Sequence, residues 1–178
     1  MSPGPCALSI GFPMSQPAIS FLGVGLMGAP MVARLLEAGF SLTLWNRTPA
    51  KAQVFSGRAR LASSPAEAVA GADVVITMLE SGQVVDQVLY QSGAIRQLRQ
   101  GALVIDMSSI EPGLARGHGT QVEALGGGYL DAPVSGGTRG AQAGTLSIMV
   151  GGRDETFVRA AAVVQPLGAV THIGPVGS

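Results

Sequence analysis

From Ala18 onward, short apolar runs alternate with segments whose apolar positions recur at helical spacing. "AISFLG" (18–23), "SLTLW" (41–45), "ADVVITML" (72–79) and "ALVIDMS" (102–108) are strand-sized blocks. Their continuous apolar character is that of strands covered on both faces. Between the first two, Met31, Leu35 and Leu36 of "GAPMVARLLEAG" share one helical stripe, and Gly39 supplies a stop. "TPAKAQVFSG" (48–57) predicts a short helix with proline in its first turn, and Ser64 with Glu67 has capping-box spacing. Further strands are predicted over 59–63, 127–133, 145–152 and 169–174, and helices over 64–71, 82–90, 111–126 and 153–168. The glycine-rich stretch 134–144, "VSGGTRGAQAG", predicts a loop. This alternation of strand and helix predicts an α/β fold with one open, mostly parallel sheet running from residue 18 to 178.

Ahead of that pattern, residues 1–17 form a Pro/Ser/Gly-rich leader that reads as flexible. It lacks the basic start and sustained apolar stretch of a signal peptide. Met14, just before the first strand, is a second candidate for the biological start. The single cysteine, Cys6, lies in this leader and reads as a plain thiol rather than a nucleophile. With no internal disulfide possible, a cytoplasmic location is the default expectation.

Composition narrows the partners. Hydrophobic residues are 47% and charged ones 12% of the 178 residues, enough for a real core. The formal net charge of zero removes the simplest electrostatic case for nucleic acid or an anionic membrane. No apolar run approaches the roughly 20 residues of a membrane span. Lys51 is the only lysine beside ten arginines.

"FLGVGLMGAP" carries the candidate chemistry. Gly23, Gly25 and Gly28 have G-x-G-x-x-G spacing between a strand and a helix, with Val24, Leu26 and Met27 between them. A tight turn, close approach to a pyrophosphate and close helix–strand packing each require one of these glycines. The helix N-terminus adds unpaired N–H groups and the positive end of the helix dipole. A dinucleotide-binding fold then reads the ribose about 20 residues on, usually with an acid for NAD. Here the second strand ends in Asn46, Arg47 and Thr48, without a carboxylate. Arg47 can grip a 2′-phosphate that an acid would repel, with Asn46 and Thr48 as neutral donors, so NADP is expected over NAD. Arg47 as a solvated loop cation, with Thr48 capping the next helix, is the plainer alternative.

Ser135, Gly136 and Gly137 put a hydroxyl beside two residues without side chains, so successive N–H groups could line an anion site. By chemistry alone a flexible connection is equally acceptable. Asp106 reads as a cap on the turn after its strand. His118 and His172 have no ligand partner at useful spacing, so no metal site is expected. Met27 and Met31 read as packing residues.

Together, "FLGVGLMGAPM", "WNRT" and "DAPVSGGTRGAQAGTLSIMVGG" resemble the β-hydroxyacid dehydrogenase family, which includes 3-hydroxyisobutyrate dehydrogenases and tartronate semialdehyde reductases. The likeness runs in order from about Ile19 to the last residue. It implies a Rossmann-type, doubly wound N-terminal domain, a nicotinamide cofactor, and interconversion of a β-hydroxy acid with its semialdehyde. It also implies that Ser135, Gly136 and Gly137 hold the substrate carboxylate, with Leu79 and Ser109 near the nucleotide, and that the longer form is a homo-oligomer. The family's catalytic lysine lies in a C-terminal helical domain after a segment resembling "HIGPVG". On that expectation none of the 178 residues is catalytic, and the chain is a front half truncated before that lysine. Lys51, on the helix after the second strand, reads as a solvated cation. A nucleotide-binding module without turnover and an imine reductase fragment are the alternatives. Without the helical domain, exposed apolar surface is expected to make the chain associate.

Overall fold

The computed structural model describes residues 16–178. The leader before Gln16, with Cys6 and Met14, lies outside the described residues. Pro17 is already buried, and the Ala18 N–H donates to Asp73 Oδ2 at 2.9 Å.

The strands are β1 (Ile19–Leu22), β2 (Leu42–Trp45), β3 (Arg60–Leu61), β4 (Val74–Thr77), β5 (Leu103–Asp106), β6 (Gly128–Asp131), β7 (Val134–Ser135), β8 (Leu146–Gly152) and β9 (Gly168–Gly174). They form one sheet in the order β3-β2-β1-β4-β5-β6-β8-β7, with β9 also paired to β8. The first six run parallel in the order 3-2-1-4-5-6 of a doubly wound dinucleotide fold. Antiparallel pairing of β8 to β6 and β7 ends the parallel run, and β9 returns parallel to β8.

Alternate side chains of the central strands feed two cores. Ile19 and Phe21, Val74 and Ile76, and Leu103 and Ile105 face one side, with Met31, Val32 and Leu35 of α1 (Gly28–Glu37) and Ala160 and Val163 of α7 (Asp154–Val164). Leu22, Val75 and Val104 face the other, with Ala68 and Val69 of α3 (Pro65–Val69) and Ala115 and Val122 of α5 (Pro112–Ala124). Each fully buried aliphatic side chain contributes about 1.5–3 kcal/mol relative to exposure. Sequestering both faces explains why these strands read as continuous apolar runs.

Three local expectations change. The stretch 134–144 is β7 followed by a helix, α6 (Gly137–Ala143). Its glycines mark close packing as well as turning: a Cβ on Gly140 would lie 3.2 Å from Leu146 Cδ2. Gly144, at φ +68°, stops the helix in the left-handed conformation that glycine adopts most easily. Second, the helix expected over 82–90 is α-helical only in α4 (Gly82–Val85), then widens to a π-turn over Asp86–Gln91. A 3₁₀ turn at Ala94–Gln97 follows. Third, the capping box is offset. Ser64 Oγ accepts from the Glu67 N–H at 3.1 Å, but Glu67 Oε2 returns to the N–H and hydroxyl of Ser63.

Candidate functional site

Strand order reverses between β1 and β4, and a cleft of about 130 Å³ opens there, at the carboxyl ends of β1, β2 and β4. Gly23 leaves β1 at φ +107°, and a Cβ on it would stand 2.2 Å from Met78 O. A Cβ on Gly28 would stand 1.8 Å from Gly23 O, so the turn and the start of α1 both exclude a side chain. Gly25 differs: a Cβ there meets nothing within 4 Å. The chain's own packing explains Gly23 and Gly28, whereas Gly25 leaves room above the loop at the N-terminus of α1. That helix has no acidic residue in its first turn and no side chain capping it, so its terminal N–H groups and dipole favour an anion. Leu26 projects from the same loop, 86% exposed.

Asn46 is a brace. Its Oδ1 accepts the Val24 N–H at 2.8 Å, and its Nδ2 donates to Thr48 O at 2.9 Å. The amide thus links two loops, and its second Nδ2 hydrogen remains a donor on the cleft lining. Thr48 occupies the N-cap position of α2 (Pro49–Gln53), but its hydroxyl makes no capping bond. Arg47 and Lys51 both line the cleft. Lys51 is exposed, as a solvated helix cation should be, and the first turn of α2 places it on the cleft lining with Arg47. On the opposite wall is Glu80, whose Oε1 lies 3.8 Å from Arg47 Nη2. Sequence spacing missed Glu80 because it reaches the site through β4.

Leu79 also lines the cleft, and its N–H donates to Ser108 Oγ at 3.0 Å. Ser108 is buried, whereas Ser109 is exposed and does not line the cleft. The Ser108 N–H and the Thr77 hydroxyl both donate to Asp106 Oδ1, at 3.0 and 2.8 Å. Asp106 thus caps the turn as expected, and it also ties the ends of β4 and β5 beneath the cleft. Burial raises its pKa, against the opposing effect of hydrogen bonds from Ser108 and Thr77 and the proximity of His118. Asp106 Oδ2, Tyr90 Oη, Tyr129 Oη and His118 Nδ1 are buried without a protein partner. His118 is stacked on Tyr90 at 4.0 Å between ring centroids, with Nε2 3.4 Å from Asp86 Oδ1.

Ser135, Gly136 and Gly137 are exposed at the junction of β7 and α6, away from the cleft lining. Gly136 and Gly137 have φ of +130° and +62°. Helix α6 packs on α1, and the strand directions put the start of both at the carboxyl end of the parallel strands. A larger open groove, about 710 Å³, lies between α5 and the ends of β8 and β9. Of its charges, Arg153 pairs with Glu123 at 3.0 Å and His172 with Asp154 at 3.3 Å, while Arg116 donates to Gly177 O at 3.1 Å. The helix that begins there, α7, carries Asp154 and Glu155 in its first turn, and the groove has no G-x-G-x-x-G loop, so the smaller cleft is the candidate site. No helix among the described residues is long and apolar enough to cross a membrane.

The sequence profile described as the NAD binding domain of 6-phosphogluconate dehydrogenase matches residues 18–174. Mitochondrial 3-hydroxyisobutyrate dehydrogenase of Mus musculus is 36% identical over 92% of this chain and 50% of its own length. The NAD-dependent L-serine dehydrogenase of Pseudomonas aeruginosa is 40% identical over 90% of this chain and 55% of its own. Among solved structures, Mycobacterium tuberculosis 3-hydroxyisobutyrate dehydrogenase with L-serine superposes with a TM-score of 0.86 at 41% identity, over 92% of this chain and 56% of that one. The chain spans about half the length of the curated relatives it matches.

Proposed function

The chain belongs to the family of the NAD binding domain of 6-phosphogluconate dehydrogenase, and from that premise we propose that it is the NADP(H)-binding unit of an oxidoreductase acting on a β-hydroxy acid or its semialdehyde. The observation that carries the coenzyme choice is the pair of cations, Arg47 and Lys51, on a cleft wall where β2 ends without a carboxylate. A dianionic 2′-phosphate would take charge-assisted bonds from the Arg47 guanidinium. The loop from Gly23 to Gly28, with Val24, Leu26 and Met27, would bring backbone N–H groups to the pyrophosphate. Gly25 leaves the room this requires. Asn46 contributes by fixing that loop to the ribose side.

The nicotinamide, when bound, supplies the hydride. Leu79, held by Ser108, would orient it at the exit of β4, and Ser109, exposed outside the cleft lining, would lie near the nucleotide. Ser135, Gly136 and Gly137 would orient the substrate carboxylate. The family resemblance and the packing of α6 on α1 support that role. Two candidate groups for proton transfer are engaged within the chain: Asp106 with Thr77 and Ser108, and His172 with Gly152 O and Asp154. Lys51 stands on the adenosine side. Binding without turnover is therefore the expected behaviour of these 178 residues.

Calorimetric titration with NADPH and NADH tests the reading. NADPH should bind more tightly, and Arg47→Ala should weaken NADPH about 10- to 100-fold while changing NADH little, the span expected for charge-assisted hydrogen bonds. Equal affinities unaltered by Arg47→Ala would overturn the NADP assignment. Following nicotinamide absorbance with an added semialdehyde tests the second part, and turnover at enzymatic rates would refute it.

A further inference from the structure

Among the described residues, Arg47 is the one cation within 4 Å of Glu80, and the two face each other across the cleft from different strands. Their side chains are 73% and 78% exposed. An exposed ion pair of this kind adds little to folding, and each side chain can move without disturbing the core. Its position gives it another consequence. Any ligand group that reaches the Arg47 guanidinium must do so beside the Glu80 carboxylate. For a 2′-phosphate, Glu80 is both a competitor for Arg47 and a like charge at close range. For a 2′-hydroxyl, the same carboxylate is a hydrogen-bond acceptor, the part usually taken by an acid at the end of β2. β2 offers no such acid here, and β4 brings one to the same cleft from the other side.

We propose that Glu80 is a specificity-determining residue that opposes Arg47, drawing the cleft away from a 2′-phosphorylated dinucleotide and toward the unphosphorylated one. The inference rests on the nicotinamide-dinucleotide reading of the cleft. On it, coenzyme preference is the balance of two walls: cations on the β2 side and one carboxylate on the β4 side. The β2 sequence alone therefore overstates the preference for the phosphate.

Glu80→Gln keeps the size and hydrogen bonding of the side chain while removing its charge. Glu80→Ala removes both. NADPH and NADH should be titrated into the whole chain and both variants by coenzyme fluorescence, at about 20 mM and 500 mM salt. At low salt Glu80→Gln should raise the ratio of NADPH to NADH affinity about 3- to 10-fold, mostly through tighter NADPH. Glu80→Ala should gain as much for NADPH and weaken NADH about twofold. Both effects should shrink at high salt, where the Debye length falls to a few ångströms. If the unmodified chain binds both coenzymes and neither variant moves the ratio by twofold at low salt, this inference fails while the reading of the cleft stands. If the unmodified chain binds neither coenzyme, the reading fails and the inference with it.

Discussion

Asn46 Oδ1 accepts the Val24 N–H at 2.8 Å, so the residue after β2 holds the loop that follows β1. The same side chain donates to Thr48 O, so one amide sets the distance between the loop after β1 and the loop after β2. Asn46→Ala leaves the Val24 N–H without its partner in a part-buried position. About 1–2 kcal/mol of stability should be lost, together with affinity for both coenzymes. Asn46→Asp keeps the acceptor but removes the donor and adds a negative charge beside Arg47. It should retain NADH binding and lose NADPH by about tenfold or more. Parallel thermal melts and titrations check both, and an Asp variant that still prefers NADPH would break the assignment of the ribose end.

The three glycines of the loop should separate cleanly by mutation. Gly23→Ala and Gly28→Ala each drive a methyl into backbone, and Gly23 also has a positive φ. Each should cost about 2–4 kcal/mol by overpacking and, at Gly23, strain. Gly25→Ala meets no protein atom within 4 Å and should melt as the unmodified chain does. Coenzyme affinity should nonetheless fall for Gly25→Ala, because the methyl occupies the approach to the pyrophosphate. Denaturant unfolding and titration on the same samples give the answer. A Gly25→Ala variant with full affinity would remove the loop from the phosphate site.

Asp106 predicts a pH dependence. Burial raises its pKa in the folded chain above the ordinary carboxylate value of 3.8. At pH below that ordinary value both states hold the proton, and the folded state has its full advantage. As pH rises past it, the unfolded chain releases the proton first, and this contribution to stability declines until the raised folded value is passed. Asparagine can still accept from Thr77 and Ser108 through Oδ1 without carrying a charge. Asp106→Asn should therefore flatten the decline above pH 4 and gain stability relative to the unmodified chain at neutral pH. Urea unfolding of both proteins from pH 4 to 8 measures this, and parallel slopes would contradict it. Glu67 acts oppositely: hydrogen bonds from Ser63, then Arg60, lower its pKa, and its contribution is lost as pH falls through that lowered value.

The parallel half of the fold was legible because strands covered on both faces leave unbroken apolar blocks. Ile19 to Leu22 and Leu103 to Asp106 are examples, each residue of both runs being buried. The glycine loop was legible because its spacing carries a backbone requirement at Gly23 and Gly28. Where glycines serve packing instead, the same signal misleads: α6 was expected as a loop because Gly137, Gly140 and Gly144 read as breakers. Glu80 reaches the cleft by strand neighbourhood, and sequence distance hides it. Ser108 carries no sequence signal that sets it apart from Ser109. Only the hydrogen bond to the Leu79 N–H shows which of the two hydroxyls turns inward.

The last strand predicts how the isolated chain behaves. β9 is hydrogen-bonded to β8 along one side, and no other strand among the described residues pairs with it. Its seven residues include no Lys, Arg, Asp or Glu, and Ile173 is 46% exposed. Natural edge strands usually carry charges, prolines or bulges that discourage pairing with another chain. The bulge here is at Ile173 of β9 itself, where His172 and Gly174 pair with the consecutive Val150 and Gly151, and it leaves the β9 edge regular from Gly168 to His172. A second copy is thus expected to pair along β9, giving a weight-average mass that rises with concentration in sedimentation or light scattering. Ile173→Lys places a charge on that edge far from the glycine loop and should abolish the rise while leaving coenzyme affinity unchanged. A single monomeric species at high concentration in the unmodified chain would show that β9 does not pair.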